Sequence, residues 1–304
     1  MNLLDVRGPY RWNGLTATRI VEWEGEAMPH PVLFPGRTAD EIRRASPPGA
    51  AARLTDAGMI VTSTQFFLLR EGVRVSIVEA GSGNGKTRPN EPYWDHQNLP
   101  YRETLGSLGV RPEDVDYVFL SHLHPDHIGL ATTAAGEGWA PTFPRAQHVL
   151  SRREWEYWSG LPHRLPFIED SARPLIDAGC VRFAGDGDSI GGIRVHDTPG
   201  HTPGHLIFEA EAAGLWFLGD LLHHPAQAAH PDWPSAQWDV DRDGGTAQRR
   251  KFFRRFADSG ALLLGTHLGG PFRIEPVQDG AYRLRYEPAA EAETKLPCKE
   301  SAAC

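Results

Sequence analysis

The chain has 304 residues and a formal net charge of −8, from 39 acidic and 31 basic side chains. This acidic balance argues against a nucleic-acid partner, because nucleic-acid binders usually present a basic face. No apolar stretch approaches the ~20 residues of a membrane span, and the first residues lack the pattern of a secretory signal. The sequence therefore predicts a cytoplasmic protein without nucleic-acid or membrane partners.

Patterns of apolar residues predict strands in two groups, with helices between them. The predicted elements are a hairpin of 62–70 and 73–78, a short helix opened by a Ser151–Glu154 capping box, a hairpin of 205–209 and 215–218, a helix over 246–257, and strands at 272–276 and 282–286. This order fits an α/β (α+β) fold, a four-layer αββα sandwich of two mixed β-sheets flanked by helices.

Composition divides the chain into three parts. Residues 1–55 are rich in Pro, Gly and charge, and we expect an N-terminal extension that packs on the core and covers a site or a subunit contact. Residues 56–287 carry the predicted strands and would form the main domain. The tail at 288–304 is rich in Ala and Glu, and we expect it to be mobile.

The most informative motif follows an apolar run at 117–120. His122, His124, Asp126 and His127 bring three imidazoles and a carboxylate into six residues. At the end of a strand, the first two can point one way while the last two turn toward a second point. Nitrogen and oxygen ligands without thiolate favour zinc or a similar divalent ion. The motif therefore predicts two metal ions a few ångströms apart.

Three further candidate ligands, His201, Asp220 and His267, each end or follow an apolar run. Open α/β sheets place their sites at such strand ends, so we expect these side chains to meet the first motif. Asp220 could bridge two ions, and each histidine could complete one coordination sphere. The three cysteines show no pairing pattern, which disfavours a disulfide scaffold and a thiolate site.

In these motifs the sequence resembles the metallo-β-lactamase-fold superfamily of metal-dependent hydrolases. The resemblance covers roughly residues 60 to 275 and rests on His-x-His-x-Asp-His at 122–127, Thr-Pro-Gly-His at 198–201, Gly-Asp at 219–220 and Gly-Thr-His at 265–267. The doubled Thr-Pro-Gly-His looks most like the branch of acyl-homoserine lactonases and methyl-parathion-type hydrolases. One departure is Glu79 in Val-Glu-Ala-Gly, where many members have Val-Asp-Thr-Gly.

The resemblance implies two divalent ions per chain, expected to be Zn²⁺. One ion would be held by His122, His124 and His201, the other by Asp126, His127 and His267, with Asp220 as the bridge. A hydroxide between two such ions exists near neutral pH, because they lower the pKa of bound water from ~15.7 to about 7. Asp126 would orient that hydroxide.

These features predict a dinuclear hydrolase that acts on a small molecule, first a lactone or related carboxylic ester such as an acyl-homoserine lactone. An organophosphate triesterase and a glyoxalase II-like thioesterase are the alternatives within the superfamily. A non-catalytic metal-binding protein is the alternative from another class. The sequence leaves open whether the protein forms a homodimer.

Several residues near the ligands have two interpretations. His223 follows the bridging Asp220 and is a candidate catalytic residue, as a hydrogen-bond donor to the substrate carbonyl or a proton donor to the leaving group; otherwise it is a solvated loop histidine. His205 is expected to support the site or pack rather than bind metal. Trp233 and Trp238 could wall an apolar pocket or pack in the core.

Two further motifs are set aside. Residues 80–87 nearly match a phosphate-binding loop, but Ala80 replaces its first glycine and prolines follow, so we expect a tight glycine turn beside the metal site. Residues 239–244 resemble the start of a calcium loop, but Arg250 stands where a bidentate Glu is needed. An acidic N-terminus to the following helix explains the second motif.

Overall fold

The computed structural model describes residues 3–277 and 280–287. The strands are β1 (Asp5–Trp12), β2 (Leu15–Pro29), β3 (Met59–Glu71), β4 (Arg74–Val78), β5 (Tyr117–Phe119), β6 (Thr132–Ala135), β7 (Gly138–Pro141), β8 (Gln147–Ser151), β9 (Val181–Ala184), β10 (Ser189–Ile190), β11 (Ile193–Asp197), β12 (Leu206–Ala210), β13 (Leu215–Phe217), β14 (Leu262–Leu264), β15 (Phe272–Pro276) and β16 (Tyr282–Tyr286). The α-helices are α1 (His30–Leu33), α2 (Ala39–Ala45), α3 (Tyr101–Ser107), α4 (Pro125–Ile128), α5 (Arg152–Ser159), α6 (Arg173–Asp177), α7 (Ala226–Ala229) and α8 (Arg242–Ser259). In this part of the chain, every helix is too short or too polar to cross a bilayer.

The strands form two large mixed sheets and one small hairpin. The first sheet has the order β1-β2-β3-β4-β5-β8-β9 and the second the order β10-β11-β12-β13-β14-β15-β16, while β6 pairs with β7 alone. In the first sheet, β4, β5, β8 and β9 run parallel to one another. In the second sheet, only β13 and β14 are parallel.

The two sheets pack face to face through aromatic and aliphatic side chains. Phe67 and Phe119 of the first sheet meet Phe217 and Phe208 of the second, each pair with ring centroids 5.3 Å apart. Helices α3 and α6 cover the outer face of the first sheet. Helix α8 covers the outer face of the second sheet with three phenylalanines. The four-layer αββα sandwich is therefore confirmed.

The predicted hairpins, the helix after residue 151 and the final pair of strands are all present. Helix α8 begins four residues before the predicted start at Thr246, because the Asp241 side chain accepts a hydrogen bond from the Gly244 backbone and caps the helix there. The calcium-like motif is in part this cap, as expected from its acidic residues.

The N-terminal segment is part of the first sheet as well as a covering for it. Strand β2 pairs with β3 from Leu15 opposite Glu71 to Pro29 opposite Met59. Residues 5–29 therefore extend the sheet by two strands, which the Pro- and Gly-rich composition of 1–55 concealed. The division of the chain at residue 55 stays a prediction, and the tail at 288–304 lies outside the described residues.

The glycine turn at 80–85 is held from the N-terminal strand β2. The Glu22 carboxylate accepts hydrogen bonds from the Ser82 amide at 2.9 Å, the Ser82 hydroxyl at 2.7 Å and the Tyr101 hydroxyl at 2.8 Å. The glycine turn also binds the segment after α4, since the Gly129 amide donates a hydrogen bond to the Gly81 carbonyl at 2.8 Å. Strand β2 thus helps to position the segment that carries Asp126.

The lysine of the phosphate-loop-like motif is turned into the protein. Lys86 is fully buried, and its ammonium donates to the Thr132 hydroxyl at 2.6 Å and to the Asp170 carbonyl at 2.8 Å. It also lies 3.5 Å from the centroid of the Trp139 ring. Lys86 therefore ties the glycine turn to neighbouring elements.

The first prediction concerns Gly81, which has φ +43° and whose added Cβ would clash with a Glu22 carboxylate oxygen. Gly81→Ala should lower the free energy of unfolding by about 2 kcal/mol more than Gly72→Ala, because it displaces a hydrogen-bonded carboxylate. Gly72 is the matched control, with φ +59° and open space around its Cβ, so that it carries only left-handed strain of about 1 kcal/mol. Equal losses in urea denaturation would contradict the anchoring role of Glu22.

Candidate metal centre

Three of the candidate ligands occupy equivalent places, each three residues past the last paired residue of a strand. Phe217 of β13 pairs with Leu264 of β14, and Asp220 and His267 each follow three residues later. In the first sheet, His122 likewise follows Phe119, the last residue of β5, by three positions. Because the sheets pack face to face, these strand ends deliver their side chains to one edge of the sandwich.

The first group of side chains consists of His122, His124, His201 and Asp220, whose potential ligand atoms lie within 4.8 Å of one another. Nε2 of His201 is 3.0 Å from Nδ1 of His124 and 3.2 Å from Nε2 of His122. Nitrogens bound to one tetrahedral Zn²⁺ at ~2.0–2.1 Å would lie roughly 3.3 Å apart. The convergence of these nitrogens therefore fits a single borderline divalent ion.

The second group consists of Asp126, His127 and His267. Nε2 of His127 lies 3.2 Å from Oδ1 of Asp220, yet neither atom has a hydrogen-bond partner and both are buried. Oδ2 of Asp220 lies 3.1 Å from Nε2 of His267 and 3.3 Å from Nε2 of His201. Asp220 therefore faces both groups, and the unpaired buried atoms fit a second ion.

The electrostatics of the two groups differ. Burial, together with the neighbouring imidazoles, lowers the pKa of His122 and of His124 well below the ordinary value. Burial also acts to lower the pKa of His127, but the carboxylates around it raise that pKa well above its ordinary value. His122 and His124 therefore offer neutral nitrogen lone pairs, while the carboxylate charge around His127 is one that a cation would neutralise.

The histidines of both groups are held by oxygen atoms behind them. Oδ1 of Asp239 lies 3.2 Å from Nδ1 of His201, and Oε2 of Glu79 lies 3.2 Å from Nδ1 of His127. The backbone carbonyl of Ser63 lies 2.8 Å from Nδ1 of His267. Such partners fix the ring orientation and raise the basicity of the free nitrogen. Glu79 thus supplies a carboxylate despite its departure from the usual motif.

Asp239 was missed as a supporting residue, because the sequence motif that contains it was explained as a helix terminus. Its Oδ2 accepts a hydrogen bond from the Ser235 amide at 2.9 Å and lies 3.5 Å from Nη1 of Arg249. Burial opposes its ionisation, but the bond to His201 and the charge of Arg249 lower the pKa of Asp239 to about 2. Asp239 is therefore a stable anion behind His201.

Glu154 was also assigned a different role by the sequence pattern. Ser151 does precede α5, but its side chain makes no capping bond, so the capping-box prediction is wrong. The fully buried Glu154 instead accepts hydrogen bonds from the Leu123 amide at 3.2 Å and the Gly204 amide at 2.9 Å. It also accepts one from Nε1 of Trp158 at 2.6 Å. One carboxylate thus joins the loops of His122, His124 and His201.

His205 supports the backbone of Asp220, the candidate bridging residue, as the sequence favoured. Its Nε2 accepts a hydrogen bond from the Asp220 amide at 2.9 Å, and its Nδ1 lies 2.7 Å from the Thr198 hydroxyl. Burial lowers the pKa of His205 to about 3, so the ring stays neutral. His205 therefore positions the Asp220 backbone rather than adding to either group.

His223 lies beside both groups. Its Nε2 is 3.0 Å from Oδ2 of Asp220, and its ring stacks on that of His267 with centroids 5.1 Å apart. Its Nδ1 lies 2.7 Å from the Ser235 hydroxyl. With Asp220 and His267 it forms a third group of potential ligand atoms within 4.8 Å. Its geometry thus suits either a ligand or a hydrogen-bond donor.

A cavity of about 440 Å³ opens above these groups. Its floor includes His124, Asp126, Asp220, His223 and His267. Its walls are mainly apolar and come from β2, α1, β3, the loop after residue 88 and the segment that contains Trp238. They include Trp23, Met28, Leu33, Ile60, Trp94 and Trp238. Trp233 instead packs in a buried cluster against Phe34, with ring centroids 5.4 Å apart.

Comparisons with known proteins agree with this geometry. The family model described as the metallo-beta-lactamase superfamily matches residues 61–267. An N-acyl homoserine lactonase of Bacillus cereus is 32% identical over 149 residues, which are 48% of this chain and 54% of that protein. The chain spans about half the length of the curated relatives it matches.

Two solved structures share the fold. The hydrolase AbOPH, described as belonging to the beta lactamase superfamily, superposes with a TM-score of 0.74 at 24% identity over 92% of this chain and 96% of its own. AidC, described as a dizinc quorum-quenching lactonase in complex with a product, superposes with a TM-score of 0.73 at 20% identity, over 93% and 97% of the two chains.

The second prediction concerns Asp239. Asp239→Ala should weaken binding of the ion at the first group by about 10–100-fold, because His201 loses the carboxylate behind its ring. Titration of the apoprotein against a chromophoric zinc chelator measures this. Asp241→Asn is the matched control, since it changes a nearby carboxylate that caps α8, and Asn caps a helix about as well as Asp. Unchanged zinc affinity in Asp239→Ala would refute the supporting role.

Proposed function

This chain belongs to the metallo-β-lactamase superfamily, and we propose that it is a dinuclear metal-dependent hydrolase of lactones or related carboxylic esters, such as N-acyl homoserine lactones. The observation that carries the proposal is the pair of adjacent histidine and carboxylate groups on the floor of an apolar cavity. The curated relatives, which are named N-acyl homoserine lactonases, support the choice of substrate.

We propose that the two groups hold one ion each. His122, His124 and His201 would hold the first ion, Asp126, His127 and His267 the second, and Asp220 would face both. Nitrogen and carboxylate donors without thiolate suit Zn²⁺. When bound, such ions lower the pKa of water to about 7 and polarise a carbonyl oxygen.

Asp126 is proposed to orient the attacking water. Its Oδ2 lies 3.7 Å from Nε2 of His127 and 3.7 Å from Nε2 of His267, and its side chain lines the cavity. A carboxylate in this position accepts a hydrogen bond from the water and directs the oxygen lone pair toward the substrate carbonyl. No serine or cysteine nucleophile is then required.

His223 is proposed to donate a proton from Nε2. The Gln227 amide oxygen accepts from the His223 backbone at 2.7 Å, which turns the Gln227 amide nitrogen toward the Ser235 hydroxyl at 3.2 Å. The Ser235 hydroxyl accepts that bond and can give its own proton to Nδ1 of His223. The remaining proton then sits on Nε2, at the floor of the cavity and 3.0 Å from Oδ2 of Asp220. With the Asp220 oxygens engaged by metal, this proton would be able to stabilise the substrate carbonyl oxygen or reach the leaving alkoxide.

The same proposal covers the partners. A small-molecule substrate fits a cavity of about 440 Å³. The cytoplasmic location and the homodimer stay predictions from the sequence.

The third prediction tests the metal requirement. Chelation should abolish hydrolysis and zinc should restore it, and Asp220→Ala should lose at least one of the two ions, because this carboxylate faces both groups. Metal content by plasma mass spectrometry, with a panel of lactones, thioesters, phosphotriesters and a β-lactam, measures both effects. Asp258→Ala, which removes an exposed carboxylate from α8, is the control.

Full activity in a metal-free preparation would contradict the proposed mechanism. Two bound ions with turnover of thioesters or phosphotriesters but not of lactones would keep the metal centre and replace the substrate. Two bound ions without turnover of any compound would favour a non-catalytic metal-binding protein.

The fourth prediction separates two roles of His223. If it donates a proton, His223→Gln should lower kcat by about 100-fold while both ions stay bound. His96→Gln, at an exposed histidine, is the matched control and should leave kcat unchanged. Loss of an ion in His223→Gln would mean that this residue is a ligand, and an unchanged kcat would mean that it has neither role.

A further inference from the structure

The charged side chains of the protein that line the cavity are acidic. The lining includes three carboxylates, those of Glu91, Asp126 and Asp220, and no lysine or arginine. Asp126 and Asp220 belong to the groups proposed to hold metal. Glu91 belongs to neither group, and the proposed hydrolytic mechanism does not use it.

The Glu91 side chain has no protein partner to neutralise it. In the described part of the chain, no hydrogen-bond donor and no cation contacts its carboxylate. Burial, followed by the negative charge of Asp126, raises the pKa of Glu91, with no counteracting donor. A carboxylate without a partner on the wall of a cavity is free to interact with whatever enters it.

The loop that carries Glu91 is fixed at the cavity by its neighbours. The ring of Tyr93 lies against that of Trp23 on β2, with centroids 4.3 Å apart, and its hydroxyl donates to the Glu26 carbonyl at 3.2 Å. Nε1 of Trp94 donates to the Thr64 hydroxyl at 3.1 Å. These contacts tie the loop to two strands of the first sheet, so Glu91 faces the cavity from an anchored segment.

We propose that Glu91 selects substrates by charge, favouring neutral acyl compounds and disfavouring those that carry a carboxylate on the part remote from the scissile carbonyl. This inference rests on the proposed hydrolase function. The apolar walls around Glu91 accept the acyl part, and its free oxygens can accept a hydrogen bond from an amide N–H. A substrate carboxylate that lies against the wall near Glu91 meets a like charge, and no lysine or arginine on the lining offsets that charge.

Charge selection by Glu91 divides the candidate substrates into two classes, those with and those without a remote carboxylate. Neutral lactones, alkyl esters and phosphotriesters carry no remote carboxylate and are admitted. Glutathione thioesters carry carboxylates remote from the scissile carbonyl and are disfavoured. The charge of Glu91 thus narrows the range of substrates. The proposed metal ligands alone do not, since the same ligands serve all of these reactions.

The test compares matched ligands on the zinc-loaded protein. The hydrolysed pair is 4-nitrophenyl hexanoate and the same ester with a carboxylate at the far end of the chain. The non-hydrolysed pair is N-phenylhexanamide and its counterpart with a terminal carboxylate, measured by calorimetry. In the wild type, the neutral member should be preferred in kcat/KM and in affinity, and Glu91→Gln should reduce that preference by about tenfold.

Two controls sharpen the comparison. Glu137→Gln removes an exposed carboxylate outside the cavity and should keep the wild-type preference. Because any carboxylate that binds the ions directly does so in all three proteins, the change in preference between variants isolates the effect of Glu91. Higher salt should weaken the preference in the wild type more than in Glu91→Gln.

The same preference in the wild type and in Glu91→Gln would overturn the inference. If neither ester is hydrolysed but the amides still show a preference that Glu91→Gln removes, the proposed hydrolase function fails and the charge selection stands. If the esters are hydrolysed with the same preference by the wild type and by Glu91→Gln, the proposed hydrolase function stands and the charge selection fails.

Discussion

The packing of the two sheets against each other is the constraint on which the site depends. The pairs Phe67–Phe217 and Phe119–Phe208 hold the sheets in contact. Candidate ligands follow the ends of strands from both sheets, so their separation is set by this contact and by strand register. The sandwich can therefore hold seven ionisable side chains close together, although burial of so many polar groups is costly.

A layer of buried or half-buried carboxylates behind the candidate ligands positions the ligand side chains and the loops that carry them. Glu79 and Asp239 lie behind candidate ligand histidines, while Glu22 and Glu154 bind backbone amides of the loops that carry or adjoin the candidate ligands. Each is a costly group to bury, and each is offset by donors from segments distant in sequence. The loops keep their shape because a loop that moved away would leave one of these buried carboxylates without its hydrogen-bond donors.

The N-terminal segment links the stability of the fold to the shape of the cavity. Strand β2 extends the first sheet, holds the glycine turn through Glu22 and supplies Trp23 and Met28 to the cavity wall. Trp23 also anchors the loop of Glu91 through Tyr93. The candidate metal ligands and Glu91 thus lie on different parts of the chain, so the cavity walls can differ while the candidate ligands stay the same.

The sequence by itself determined the two-sheet sandwich and the seven candidate ligands, because apolar periodicity and the dense motif at 122–127 are local signals. Tertiary structure alone decided the partners of the buried carboxylates. Glu154 matched a local capping box, yet it binds the amide of Gly204, 50 residues away. Asp239 matched a helix terminus, yet it holds His201, 38 residues away. A buried carboxylate pairs with whichever donors the packing of distant segments brings to it, and no local pattern records that choice.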